Sequence, residues 1–243
     1  MVAVEEPLEI RLDGHVVTTT MRTPGDDHEL AVGFAQAEGL LDGARLHGVA
    51  SCGLGLDERA AFNIVDLSTG GTAPPPTPRL SMTTAACGVC GSASVDDLLA
   101  RLRPLDGTPT LPVDLLLSIS AAVRPHQELF AATGGVHAAA AFTPSGDVVV
   151  VREDIGRHNA VDKVVGRLHL DGALPATGLG LHVSGRAGFE IVQKAWAAGF
   201  GTVVAVGAPT SLAVEVARMA RITLAAFLRP GGLNVYSPEA PAR

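Results

Sequence analysis

The chain has 243 residues, 47% hydrophobic, 18% charged and only 4% aromatic, with 18 basic against 25 acidic side chains and a formal charge of −7. That length and apolar content suffice to bury a full core without disulfides or a structural metal, which excludes a disordered chain and a small stapled scaffold. The acidic balance leaves no basic footprint for a duplex, so nucleic acid is not expected as a partner.

Leu8–Leu12 and His15–Met21 are β-rich runs separated by Asp13-Gly14, a strong hairpin signal. Asp26 or Asp27 can then cap a helix that buries Leu30, Phe34 and Ala37 and closes at Gly39. Strand-like runs follow at Leu46–Cys52 and Ala61–Leu67, completing an N-terminal β-rich part. Ser68 to Pro78 reads STGGTAPPPTP and must be a loop or tether, leading into Cys87-Gly-Val-Cys90-Gly. Ser94-Val-Asp-Asp97 has capping-box spacing ahead of Leu98–Leu102. Helical stretches are expected at Pro112–Val123 and Pro125–Ala132, then a second hairpin, Val136–Phe142 and Asp147–Arg152, across Ser145-Gly146.

From Asp154 the pattern alternates: helix about 157–168, strand 179–184, helix about 187–198, strand 202–206, helix about 210–219, strand 222–228. Short continuous apolar runs between three-turn helices are the form of βαβ units around a mixed or parallel sheet covered on both faces. The expectation is one α/β domain over residues 1–243, with a mobile excursion at about 68–92.

No stretch of about 18 uncharged apolar residues occurs, so no membrane span is expected, and the acidic start Met1–Pro7 is no secretory signal. Three cysteines, Cys52, Cys87 and Cys90, are an odd count that argues against a disulfide framework and for a reducing, cytoplasmic setting.

Several stretches could carry chemistry. Gly88 and Gly91 flank the Cys87/Cys90 pair and leave its sulfurs unshielded on a tethered loop, where one thiolate can accept sulfur and the other relay or resolve it. The alternatives are half of a zinc site or a redox pair; zinc wants about four ligands, and no second CxxC, CxxH or HxxxH exists. Cys52 reads as a small buried apolar residue. Arg152–Lys163 is the densest polar stretch and is either a ligand site or a structural network capping the helix. His137, in an apolar run, reads as a core histidine.

Three turns each follow a strand. Ser184-Gly-Arg186-Ala-Gly offers backbone N–H groups and a guanidinium. In Gly207-Ala-Pro-Thr-Ser211, Thr210 or Ser211 can be a helix cap. Phe227-Leu228-Arg229-Pro230-Gly231-Gly232 ends the last strand and is either an anion clasp or an ordinary turn. Together they suggest a phosphate-bearing or nucleotide ligand along one sheet edge.

Read together, Glu5–Ile10, Arg22–Asp27, Cys87–Gly91, Gly134–Ala139, Arg152–Lys163, Ser184–Ala187, Ala208–Glu215 and Arg229–Gly232 resemble the formate dehydrogenase accessory sulfurtransferase family, FdhD. The resemblance implies a cytidine-deaminase-like fold that has lost the zinc and catalytic Glu, in keeping with Ala139 two residues after His137. It implies a sulfurtransferase that relays persulfide sulfur from a cysteine desulfurase to the molybdenum cofactor, bis(molybdopterin guanine dinucleotide), held as a client for formate dehydrogenase. The family's persulfide carrier maps to Cys87, assisted by Cys90, and its cofactor-binding segment to Phe227–Gly232, where the absence of a basic residue after the glycine leaves Gly232 only backbone contacts. Family members are dimers, so a homodimer is expected, with no metal of its own. The alternatives are a non-catalytic chaperone for the guanylated cofactor and a zinc-binding structural protein.

Overall fold

The computed structural model describes residues 1–51, 63–76, 100–107 and 109–237. Two mixed sheets carry the described chain. The first is built from β1 (Glu6–Leu12), β2 (His15–Arg22), β3 (Gly48–Ser51) and β4 (Ile64–Ser68) in the order β2-β1-β4-β3. The β1–β2 hairpin turns at Asp13 (φ 47°) and Gly14 (φ 80°), the doubly positive φ that an Asp-Gly pair favours and that matches strand twist. Helix α1 (Asp27–Ala37) packs Leu30, Ala31 and Ala35 onto Leu8, Ile10, Val65 and Leu67.

Asp26 precedes α1 with φ 56°, and its side chain makes no cap bond. Asp26 is the N-cap residue, as expected, but neither aspartate side chain caps the helix: Arg22 takes both oxygens of Asp27 (2.9 and 2.8 Å) and Arg152 lies 3.4 Å from Asp26. Ion pairs with distant residues displace the local hydrogen bond. Gly39 does close the helix, at φ 67°.

The second sheet holds β5 (His137–Phe142), β6 (Val148–Asp154), β7 (Gly180–Val183), β8 (Thr202–Ala205), β9 (Thr223–Arg229) and β10 (Gly232–Ser237), in the order β10-β9-β8-β7-β5-β6. Strands β7, β8 and β9 are parallel, while β5 runs antiparallel to both β7 and β6. It follows that β6, β7, β8 and β9 all point the same way. On one face lie α4 (Arg157–Leu170), α5 (Phe189–Ala198) and α6 (Ser211–Ala220), closing a core with Ala139, Ala141, Leu181 and Val203. On the other, α2 (Val113–Val123) seats Leu116, Ile119 and Val123 on Ala140, Phe142, Val204 and Ala225. The expected covering of both faces is met, and the alternate alanines of β5 serve the two cores in turn.

Two expectations need correction. Pro125–Ala132 is not one helix: a 3-10 turn (Arg124–His126) carries the proline, and α3 (Glu128–Thr133) begins after it. Nor does Phe227–Gly232 end the sheet, since Pro230-Gly231 turns the chain back into β10, an edge strand paired with β9. Of the expected capping box and the run it precedes, residues 94–99 lie outside the described residues, as do the tether's last two residues, 77 and 78.

The two halves meet backbone to backbone where α1 crosses α4. A Cβ on Gly33 would stand 1.8 Å from the Asp162 carbonyl oxygen, and one on Gly166 equally close to that of Glu29. Only glycine permits this approach. Both lysines are spent internally: Lys194 bonds both oxygens of Asp162 (2.7 and 2.8 Å), and Lys163 bonds Asp154 (2.8 Å), all buried.

Candidate functional site

Because β6 to β9 share a direction, their carboxyl ends and the N-termini of α4, α5 and α6 fall on one sheet edge, the place where open α/β sheets bind ligands. There the chain extends the sheet beyond its strands. Val206 N–H donates to the Val183 carbonyl (3.0 Å), Gly207 to Gly185 (2.8 Å), Ala187 to Ala208 (3.1 Å), Thr210 to Ala187 (3.1 Å) and Phe227 to Gly207 (3.1 Å). The three turns expected at 184–188, 207–211 and 227–232 are thus stitched into one ledge. Gly207 allows it: a Cβ there would lie 2.7 Å from the Arg186 nitrogen and the Gly185 oxygen.

The side chains on the ledge fall into different roles. Ser184 Oγ accepts the Ala138 N–H (2.9 Å), pinning the turn to β5. Arg186 is exposed. Phe227 holds φ 56°, a conformation bulky residues rarely adopt, with its side chain 40% exposed. Arg229 Nη1 donates to the Val206 and Leu228 carbonyls (2.6 and 2.8 Å), tying the end of β9 to the turn after β8. Leu228 is buried in the α2 core, so it serves packing rather than a ligand. Pro230 and Gly231 (φ 84°) form a hairpin turn, and Gly232 pairs with Arg229. Thr210 is the α6 cap, its hydroxyl accepting the Ala213 N–H (3.2 Å), whereas α4 and α5 start at Gly156 and Gly188 without a side-chain cap.

The Arg152–Lys163 stretch is the strut beneath this edge. The Asp154 carboxylate receives Lys163, the Thr23 and Gly156 N–H groups and the Asn159 amide, at 2.8 to 3.1 Å. Glu153 receives the first N–H groups of α3, from Leu129 and Phe130, both at 2.8 Å. Arg152 forks onto Glu29 (2.5 and 2.8 Å), an acidic partner in α1 rather than within its own stretch. This part of the stretch is a structural network.

The sequence reads His137 as a core histidine and leaves Arg157, within the Arg152–Lys163 stretch, open between a ligand site and a structural network. His137 opens β5, half-buried, with Nδ1 3.3 Å from Ser184 Oγ. Burial first, then the charges of Arg157 and Arg186, hold its pKa below 6.5, with Asp154 pulling the other way. The available signal was positional, since both residues sit where an element begins at this edge.

Cys52, Cys87 and Cys90 lie outside the described residues. Among the described residues no group of three His, Cys, Asp or Glu is placed to hold a metal, and no helix is long and apolar enough to cross a membrane.

Comparison with known proteins covers nearly the whole chain. A family model described as the FdhD/NarQ family matches residues 3–242. The chain is 48% identical to the sulfur carrier protein FdhD of Streptomyces avermitilis, over 97% of this chain and 86% of that protein. It is also 48% identical to the sulfur carrier protein FdhD of Nocardia farcinica, over 97% and 85%. Among solved structures it is similar to one from Desulfotalea psychrophila, described as a candidate formate dehydrogenase accessory protein. That match has a TM-score of 0.75 and 25% identity, covering 98% of this chain and 89% of that one.

Proposed function

The chain belongs to the FdhD/NarQ family, and from that premise we propose that it is a cytoplasmic sulfur carrier for formate dehydrogenase. It takes persulfide sulfur from a cysteine desulfurase and passes it to the molybdenum cofactor, a bis(molybdopterin guanine dinucleotide). Residues 1–243 act as one domain on a cytidine-deaminase-like scaffold, and two copies form the working particle. The relatives' names support the sulfur-carrying role and the tie to formate dehydrogenase.

One observation carries the cofactor half: three turns stitched into a ledge with an exposed aromatic and two arginines. A guanine dinucleotide presents a purine face and a pyrophosphate. The Phe227 ring offers an apolar face for the base, and Arg186 together with the N-terminus of α5, which no side chain caps, offers positive charge for phosphate. Ser184, Arg229 and the hairpin at Pro230-Gly231-Gly232 hold the ledge in shape, with Leu228 anchoring it to the core. The residues fit the cargo; the molybdenum centre itself supplies the sulfur acceptor.

Cys87 carries the sulfur and Cys90 assists, an assignment that rests on the Cys-Gly-Val-Cys spacing and the family resemblance. The Cys87 thiolate attacks the outer sulfur of the desulfurase persulfide, a new S–S bond forms on Cys87, and the desulfurase thiolate leaves. Attack by the Cys90 thiolate on the Cys87 sulfur then expels the outer sulfur as hydrosulfide and leaves a Cys87–Cys90 disulfide. The two electrons that turn sulfane sulfur into sulfide come from these thiols.

Formate dehydrogenase matured in cells whose only carrier is Cys87→Ala tests the assignment. The variant should fold and bind GDP as the parent does while formate dehydrogenase stays inactive. Full formate dehydrogenase activity would overturn the sulfur relay and leave a chaperone that only delivers the cofactor.

A further inference from the structure

Beside the ledge stand two side chains that the nucleotide reading does not use, His137 and Arg157. Gly185 lies between His137 and Arg157: a Cβ at Gly185 would stand 3.4 Å from Arg157 Cδ and 3.4 Å from both Nδ1 and Cε1 of the His137 ring. Ser184 Oγ is 3.3 Å from the same ring, and Arg186 is the next residue along. An imidazole, a hydroxyl and the Arg157 side chain therefore meet at one backbone turn, and the charges of both Arg157 and Arg186 act on the imidazole. Arg157 is also the first residue of α4, whose N-terminus has no side-chain cap. The positive end of a helix adds to the same field.

The charged groups facing His137 come from three elements: Asp154 on β6, Arg157 on α4 and Arg186 on the turn after β7. Asp154 is already occupied by Lys163, Asn159 and two backbone N–H groups. The balance on the ring is positive, which together with burial keeps His137 neutral near pH 7. An anion seated on Ser184–Arg186 reverses that balance. The anion's charge offsets the pull of Arg157 and Arg186 on the ring, and the imidazole can accept a proton and donate a hydrogen bond to the anion.

We propose that His137, Arg157 and Arg186 form an anion subsite for the pyrophosphate diester of the guanine dinucleotide, and that its binding draws a proton onto His137. This rests on the ledge as the nucleotide site and adds a positioning residue to it. The proton comes from solvent and returns to it on release, so no bond to the ligand is made or broken. Cofactor is held more tightly on the acid side of neutrality and released more readily on the alkaline side.

The probe is diguanosine 5′,5′-pyrophosphate, whose two phosphates are diesters and do not titrate near neutrality. Calorimetry at pH 7.5 in two buffers of different ionisation enthalpy reads net proton uptake. The wild-type protein should take up about half a proton on binding, and its affinity should fall about tenfold from pH 6.5 to 8.5, a single-site linkage. His137→Gln should bind more weakly, without uptake and with an affinity flat in pH. Ring-nitrogen NMR of the wild-type protein, which needs no variant, should show His137 neutral when free and about half protonated when bound at pH 7.5. Binding without uptake, with His137 neutral in the complex, overturns the subsite and leaves the ledge standing. Failure of the probe to bind the wild-type protein overturns the ledge, and the subsite with it.

Discussion

Lys163 Nζ lies 2.8 Å from the Asp154 carboxylate, and both side chains are sealed from solvent, at 1% and 0% exposure. The same ammonium donates to the carbonyls of Thr23 (3.0 Å) and Glu153 (3.2 Å), so it fastens the β2–α1 connection to the end of β6. The N-terminal sheet is thereby held against the edge that carries the ledge.

Removing one partner of a fully buried pair strands the other. Lys163→Met should cost about 3–5 kcal/mol in urea unfolding, and the paired change Lys163→Met with Asp154→Leu should cost less than Lys163→Met alone. A double variant no more stable than the single would show that the backbone bonds, not the pair, set the cost.

The α1–α4 crossing leaves no room for a methyl group. Gly166→Ala should destabilise by about 1–3 kcal/mol or more, since Cβ would meet the Glu29 carbonyl and the helices must part. Thermal unfolding reads it directly. An unchanged melting temperature would show that the helices do not touch there.

His182 predicts an acid limb. It is buried on β7 with Nε2 2.8 Å from Ser120 Oγ, and burial pushes its pKa from 6.5 to about 4. Between those values the unfolded chain binds the extra proton and the folded chain does not. Stability is therefore full above pH 6.5 and lost as pH falls toward 4, by about 3 kcal/mol in all. His182→Gln should flatten that limb; a limb of equal slope in the variant would assign it to other groups.

How much of this was legible in the sequence follows from how local each feature is. The Asp13-Gly14 turn and the alternating second half could be read because turn chemistry and apolar period act over a few residues. The loss of a side-chain cap on α1 could not, because Asp26 and Asp27 answer to arginines elsewhere in the fold: Arg152 for Asp26, and Arg22 for Asp27. Strand β10 was missed because an edge strand with partly exposed residues has little apolar signature. The three turns could be read and grouped along one sheet edge, since each follows a strand, but the hydrogen bonds that stitch them are tertiary. His137 meets Arg157 and Ser184 only once β5 pairs with both β6 and β7, and an Ala-rich run around a lone histidine signals core.

On the ledge, Arg186→Ala should weaken GDP binding about ten- to a hundredfold, the worth of a charge-assisted bond of roughly 1.5–3 kcal/mol, and Arg229→Ala should weaken it indirectly, by loosening the ledge. Arg229→Ala should also lower stability slightly, because its guanidinium holds two carbonyls. Unchanged affinity in both variants would remove the ledge as the nucleotide site.

The most direct test of the sulfur-carrier reading is intact and peptide mass spectrometry after incubation with a cysteine desulfurase and cysteine. Wild-type protein should gain the mass of one sulfur atom, placed on the peptide holding Cys87. Cys52→Ala should gain it equally, Cys90→Ala should still load Cys87, and Cys87→Ala should gain nothing. Sulfur loading of Cys87→Ala equal to that of the wild type would contradict the account.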